Sequence, residues 1–162
     1  MVADYVRTVA TPTLGHKLEV MRQLAQAGAD RPTIQGLARM AVSGVAPDAR
    51  PDGLALALAT WVRNAVVYTR ERGEVMLGAE QTLSVGAGDC DDHAIALATL
   101  ALALGMRARF RVSGPGVAAH VWCALWCPGA KRWVDLDTTL RKPLGTRSRR
   151  AGWTILAEVE AG

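Results

Sequence analysis

Gly86-Ala87-Gly88-Asp89-Cys90-Asp91-Asp92-His93 runs directly into an apolar stretch, residues 94–104, that Gly105 closes. Asp89 is placed to cap a helix, and Asp91 and Asp92 fall in its first turn, where carboxylates suit the positive end of the dipole. The segment that follows is apolar nearly all round, which predicts a central, buried helix. Cys90 therefore sits at a helix N-terminus, after a glycine-rich turn. Unpaired backbone N–H groups there stabilise a thiolate and can hold an oxyanion. The neighbouring carboxylates act in the opposite direction, raising the thiol pKa.

Downstream of Gly105 the period changes from 3.6 residues to two. Met106, Ala108, Phe110 and Val112 alternate with polar residues, which predicts a strand over 106–112. A second strand is predicted over 118–126, with His120, Trp122, Ala124 and Trp126 on one face and Val121, Cys123, Leu125 and Cys127 on the other. A third follows a Pro-Gly turn over 132–137, and a short fourth, 153–159, can close the sheet. Upstream, Leu14, Leu18, Met21, Leu24 and Ala25 mark one face of a helix. A second helix is expected over 34–42. A third, over 54–68, is opened by Asp52 as its cap and carries Leu54, Leu58, Trp61, Ala65 and Tyr68 on one side. Residues 70–88, with Gly73, Gly78, Gly86 and Gly88, read as a long loop with one short extended piece. Helices first and an antiparallel meander after make an α+β domain.

The chain has 162 residues, 50% of them hydrophobic and 21% charged, which suits one packed domain and excludes global disorder. Aromatic residues supply only 5%, so Ala, Leu and Val must fill the core. No stretch approaches the ~18 apolar residues of a membrane span, and residues 1–11 lack a signal-peptide core. A cytoplasmic protein is expected. The net charge of +4 gathers in one cluster, Arg141, Lys142, Arg147, Arg149 and Arg150. With only Trp153 nearby, it reads as a solvated basic loop, and nucleic acid is not an expected partner. Three cysteines, an odd number, fit free thiols better than a disulfide framework.

Cys90 on its helix, His120 on a strand and a carboxylate on the next strand form a candidate unit for acyl transfer through a thioester. Asp135 and Asp137 stand two apart and share a face, so either can supply that carboxylate. Because His120 faces away from Cys123, it is expected to face the Cys90 helix. Gln81 is a candidate second donor to an oxyanion. Trp122 either lines the site or packs the core. His93 is expected to face solvent. Arg109 is either a solvated sheet residue or a partner for Asp91 and Asp92. A zinc site from His120, Cys123 and Cys127, with Cys90 or His93, is the competing chemistry, but strand alternation points His120 away from the two cysteines. No metal or cofactor is expected.

These segments, with Leu104-Gly105-Met106-Arg107-Ala108-Arg109, His120-Val121-Trp122 and Trp133-Val134-Asp135-Leu136-Asp137-Thr138, resemble the transglutaminase-like superfamily over roughly residues 61–140. The resemblance implies a papain-like fold in one domain, 1–162: a helical region over residues 1–70, a catalytic core about 61–140, and a basic loop and short strand 141–162. It implies Cys90 as nucleophile, His120 as base and Asp137, rather than Asp135, as the orienting acid. The family often has Pro after that Asp; here it is Thr138. The implied activity is a peptidase or amidase, or a transglutaminase, acting on a protein or peptide. The string before Cys90 is also similar to transglutaminase-like proteins of Mu-like and other tailed phages. That likeness implies an alternative, a structural or assembly component of a virion or tail with other phage structural proteins as partners, and a location in the virion.

Overall fold

The computed structural model describes residues 6–8, 13–49, 51–70, 75–146 and 150–162. Four strands form one antiparallel sheet: β5 (Ala108–Gly114), β6 (His120–Cys127), β7 (Arg132–Leu136) and β8 (Thr154–Glu160), in the order β7-β6-β5-β8. Helix α5 (Cys90–Ala103) packs against it, with α1 (Leu14–Ala29), α2 (Pro32–Ala41) and α3 (Asp52–Ala65) around α5. Small elements complete the fold. They are β1 (Val6–Thr8) paired with β3 (Val75–Leu77), β2 (Val67–Tyr68) paired with β4 (Ala87–Gly88), α4 (Ala79–Val85), and a single 3-10 turn at Pro47–Ala49.

The core follows the apolar pattern. On α5, Ile95, Ala96, Leu97, Ala98, Leu100 and Ala101 are all buried. Against them lie Leu18, Met21, Leu24 and Ala25 of α1 and the sheet residues Phe110, Val121, Cys123 and Leu125. The helix thus covers the Cys123 face of β6, not the His120 face, which corrects the expectation that His120 meets α5 across the sheet. The other face carries charge. Arg109 bonds Glu158 and Glu160 of β8, at 2.8 and 3.4 Å, and stacks over Trp133 at 4.2 Å. It is neither solvated nor a partner of Asp91 and Asp92.

Three further expectations change. Asp52 is the first residue of α3, after Pro51, and not its cap. Its carboxylate instead accepts the N–H groups of Gly129 and Ala130, at 2.9 and 2.8 Å, and pins α3 to the β6–β7 turn. A Cβ at position 129 would come within 2.8 Å of that carboxylate, which would have to shift within the contact. Helix α3 stops at Ala65. The β-branched Val66 and Val67 turn extended, and Tyr68 lies exposed in β2 rather than on a buried helix face. The glycine-rich segment contains a helix, α4. Gly78 begins it and Gly86, at φ 73°, ends it, so these two glycines are its caps.

No helix among the described residues is long and apolar enough to cross a membrane. Of the basic cluster, Arg141 and Lys142 are exposed and Arg150 stacks on Trp153 at 5.2 Å; Arg147 and Arg149 lie outside the described residues.

Candidate active site

Cys90 is the first residue of α5. The Asp89 carboxylate caps the helix by accepting the Asp91 and Asp92 N–H groups, and Asp92 reaches back to the Asp89 N–H at 3.2 Å. The second Asp92 oxygen accepts the Leu77 N–H at 2.8 Å. This reciprocal cap needs Gly88, because a Cβ there would lie 2.6 Å from the Asp92 Cβ. The Asp89 carboxylate takes the Asp91 and Asp92 N–H groups and not that of Cys90, which stands at the helix N-terminus in the position of a potential oxyanion donor.

The thiol lies 3.8 Å from Asp91 Oδ1, and the other oxygen of that carboxylate takes Lys17 of α1 at 3.0 Å. Burial pushes the Cys90 thiol up to about 12, and the negative charges of Asp91 and Asp89 add to that. A backbone hydrogen bond from Val121 and the charge of Lys17 pull it partly back. Left to these groups alone, Cys90 is a thiol at neutral pH.

His120 is the first residue of β6, brought there by a tight turn in which Ala119 N–H bonds back to Ser113 O at 3.0 Å. Its Nε2 lies 2.5 Å from Asp137 Oδ2. Asp137 is the first residue beyond β7. Its other oxygen accepts the Thr139 N–H and hydroxyl at 3.0 and 2.6 Å, and its backbone carbonyl accepts from Arg63 at 2.9 Å. Burial raises the Asp137 carboxyl, but the bond and charge of His120 and the two Thr139 bonds outweigh it and hold the group below its ordinary value. An ionised carboxylate can only accept, so Nε2 donates to Asp137, and in the neutral ring Nδ1 is then the acceptor nitrogen.

Asp135 does different work. One of its oxygens accepts from Arg111 at 2.7 Å and from the Trp122 indole at 2.8 Å. Trp122 is buried and stacks on His120, ring centroids 5.9 Å apart and 26° between planes. It therefore both packs and lines the site, and Asp135 holds the ring that flanks the imidazole.

A cavity of about 220 Å3 is lined by both Cys90 and His120, together with Lys17, Asp91 and apolar side chains of α1 and β5. Gln81 is not among the residues lining it. It lies on α4, with its side-chain oxygen buried and without a hydrogen-bond partner among the described residues. His93 is buried, not solvent-facing, because every side of α5 is covered. Its Nδ1 meets Thr138 Oγ1 at 2.9 Å. His120, Cys123 and Cys127 do not converge as a ligand set; among the described residues the donors that do are Asp89, Cys90 and Asp91, within 4.8 Å of one another. Two of those three are committed, Asp89 to the helix cap and Asp91 to Lys17.

Lys17, Arg63, Arg111, Thr138 and Thr139 all support the site, and the sequence alone does not mark them for that role. Only Thr138 carries a signal, as the departure from the Pro expected after Asp137. Proline could not offer His93 a hydroxyl.

The family model described as the transglutaminase-like superfamily matches residues 36–138. Among solved structures, the chain is similar to a candidate cysteine protease from Cytophaga hutchinsonii, with 20% identity and a TM-score of 0.54. The match covers 94% of this chain and 56% of that one, so the chain spans just over half that protein's length. The likeness is one of fold. No curated protein matches the sequence.

Proposed function

The chain belongs to the transglutaminase-like superfamily, and from that premise we propose that it is a cysteine-dependent acyl-transfer enzyme, a peptidase or amidase acting through a thioester. The observation that carries the reading is the 2.5 Å His120–Asp137 hydrogen bond at a cavity that Cys90, on the N-terminus of a buried helix, also lines. In the proposed reaction His120 Nδ1 accepts the thiol proton as sulfur attacks the substrate carbonyl. Asp137 holds the proton on Nε2 and offsets the charge of the imidazolium that forms. The Cys90 N–H donates to the oxygen that gains charge. The imidazolium then returns its proton to the departing amine, leaving an acyl group on sulfur. A second nucleophile, water in hydrolysis or an amine in transamidation, releases the acyl group and restores the thiol.

The high resting pKa of Cys90 fits a neutral thiol–imidazole pair that transfers its proton during attack, rather than a standing ion pair. Gln81 has no role in this scheme, since it does not line the cavity. The test is labelling with an amide-based electrophile, read by mass spectrometry of the intact protein. One label per chain, lost in Cys90→Ala with the circular dichroism spectrum unchanged, is the expected result. A label retained in Cys90→Ala, on Cys123 or Cys127, contradicts the reading.

A further inference from the structure

The cavity beside Cys90 is asymmetric in its chemistry. Leu14, Leu18 and Met21, three and four residues apart on α1, form one wall, and Val112 of β5 and Val121 of β6 form another. Its charged groups are Lys17 and Asp91, which face each other at 3.0 Å. Each ion therefore already has its counter-charge. An acidic or basic substrate group entering here would give up water without gaining an unclaimed partner, which is costly. An aliphatic group would bury its own apolar surface against these side chains without that cost.

Position adds to chemistry. The same cavity is lined by Cys90 and His120, so a side chain seated in it belongs to a peptide whose carbonyl is within reach of the thiol. The void on the far side of Cys90, toward His93 and Thr138, has no room for a water. The larger apolar hollow between α2 and α3, about 560 Å3, contains neither Cys90 nor His120.

We propose that this cavity is an acyl-side specificity pocket, which takes an aliphatic side chain within two residues of the scissile carbonyl and rejects acidic and basic ones. The proposal deepens the acyl-transfer reading and rests on it. Filling the pocket with an aliphatic side chain is worth a preference of about tenfold or more.

The experiment compares peptidyl vinyl sulfones carrying Leu-Leu, Gly-Gly, Glu-Glu or Lys-Lys before the warhead. The Cys90 sulfur adds to the vinyl carbon, and the carbanion beside the sulfonyl takes the thiol proton back through His120, so no other reactant is needed. Leu-Leu is expected to label Cys90 about tenfold faster than the two charged probes. Ala118, an exposed residue on the cavity rim, gives a variant that spares the core. Ala118→Trp should bring the Leu-Leu to Gly-Gly ratio toward one. Lys17→Met removes the cation that Asp91 faces and should raise the Lys-Lys rate relative to Glu-Glu. Ratios are read because they cancel any change in thiol reactivity. Equal rates for all four probes, faster charged probes, or a ratio that Ala118→Trp leaves unchanged would overturn the pocket. If iodoacetamide modifies Cys90 and no peptidyl probe does, the acyl-transfer reading itself fails, and the pocket with it.

Discussion

His120 meets the carboxylate of Asp137 at 2.5 Å, while His93, three residues after Cys90, meets the hydroxyl of the very next residue, Thr138, at 2.9 Å. The two imidazoles anchor one turn at consecutive residues. Their electrostatic settings differ. His120 is partly exposed to the cavity and has an ionised partner, so a proton gained there has a counter-charge. His93 is buried, its Nε2 has no hydrogen-bond partner among the described residues, and burial pushes its pKa down to about 4 despite the charge of Asp137. In the proposed reaction the first ring takes up a proton during turnover; the second is held neutral by burial and packs against the turn. Identical side chains, anchored to consecutive residues, thus acquire different roles from burial and partner alone.

Replacing one ring and then the other is the strongest way to break that contrast. His120→Ala should cost about a thousandfold or more in kcat/KM toward a peptide or amide substrate, close to the effect of Cys90→Ala. His93→Phe, of similar shape, should keep activity within about tenfold, because it touches the turn and not the reacting atoms. A His93 variant as inactive as His120→Ala would make the two rings functionally equivalent and end the distinction.

The two aspartates sharpen it. Asp137→Asn should lower kcat on the order of a hundredfold with little change in KM, since a neutral amide still orients the ring but cannot offset its charge. Asp135→Asn weakens the contacts to Arg111 and Trp122. It should appear in thermal unfolding as a loss of about 1–2 kcal/mol, with kcat much less affected. The reverse ranking in kcat would move the orienting role to Asp135.

The same contrast reaches the pH dependence of stability. The folded pKa of His93 is depressed from 6.5 to about 4, so the unfolded chain binds the proton more readily. The stability it contributes is complete above pH 6.5 and is lost as pH falls from there toward 4, by an amount on the order of 3 kcal/mol. Asp137 is also depressed, from 3.8, so its contribution is lost only at lower pH, as its carboxylate protonates. Denaturant titrations of wild type and His93→Phe across this range should separate the two, with the upper portion of the slope missing in the variant. Parallel slopes would show that His93 is not held neutral.

Much of this arrangement can be read in the sequence where one local rule dominates. Helix α5 is bracketed by its Asp89 cap and by Gly105, and its apolar composition marks it as central. The three meander strands follow from alternation, and Cys90 is legible because a cysteine in a polar glycine-rich turn is badly placed as a core residue. The failures share one physical origin, which is that tertiary partners reassign local signals. Gly78 and Gly86 look like loop residues and are the ends of α4. Asp52 has the chemistry of a cap and spends it on the turn at Gly129. Alternation separates His120 from Cys123 but does not say which face the helix will cover; it covers the Cys123 face. His93 looks solvent-facing as a polar residue in a first turn, yet its own helix, apolar on every side, already implies burial for any residue on it. Gln81 has the right chemistry for an oxyanion and no local rule to bring it to the cavity.

Cys90 is a thiol held high by burial and by Asp91, and in the proposed reaction His120 makes it reactive. The direct measurement is the rate of iodoacetamide alkylation at Cys90, read by peptide mass spectrometry from about pH 5 to pH 10, in wild type and His120→Ala. Wild type should show appreciable alkylation near pH 7, His120→Ala a rate about a hundredfold lower at that pH, and the variant rate should climb only as the alkaline range is entered. Superimposable profiles for the two proteins would contradict it.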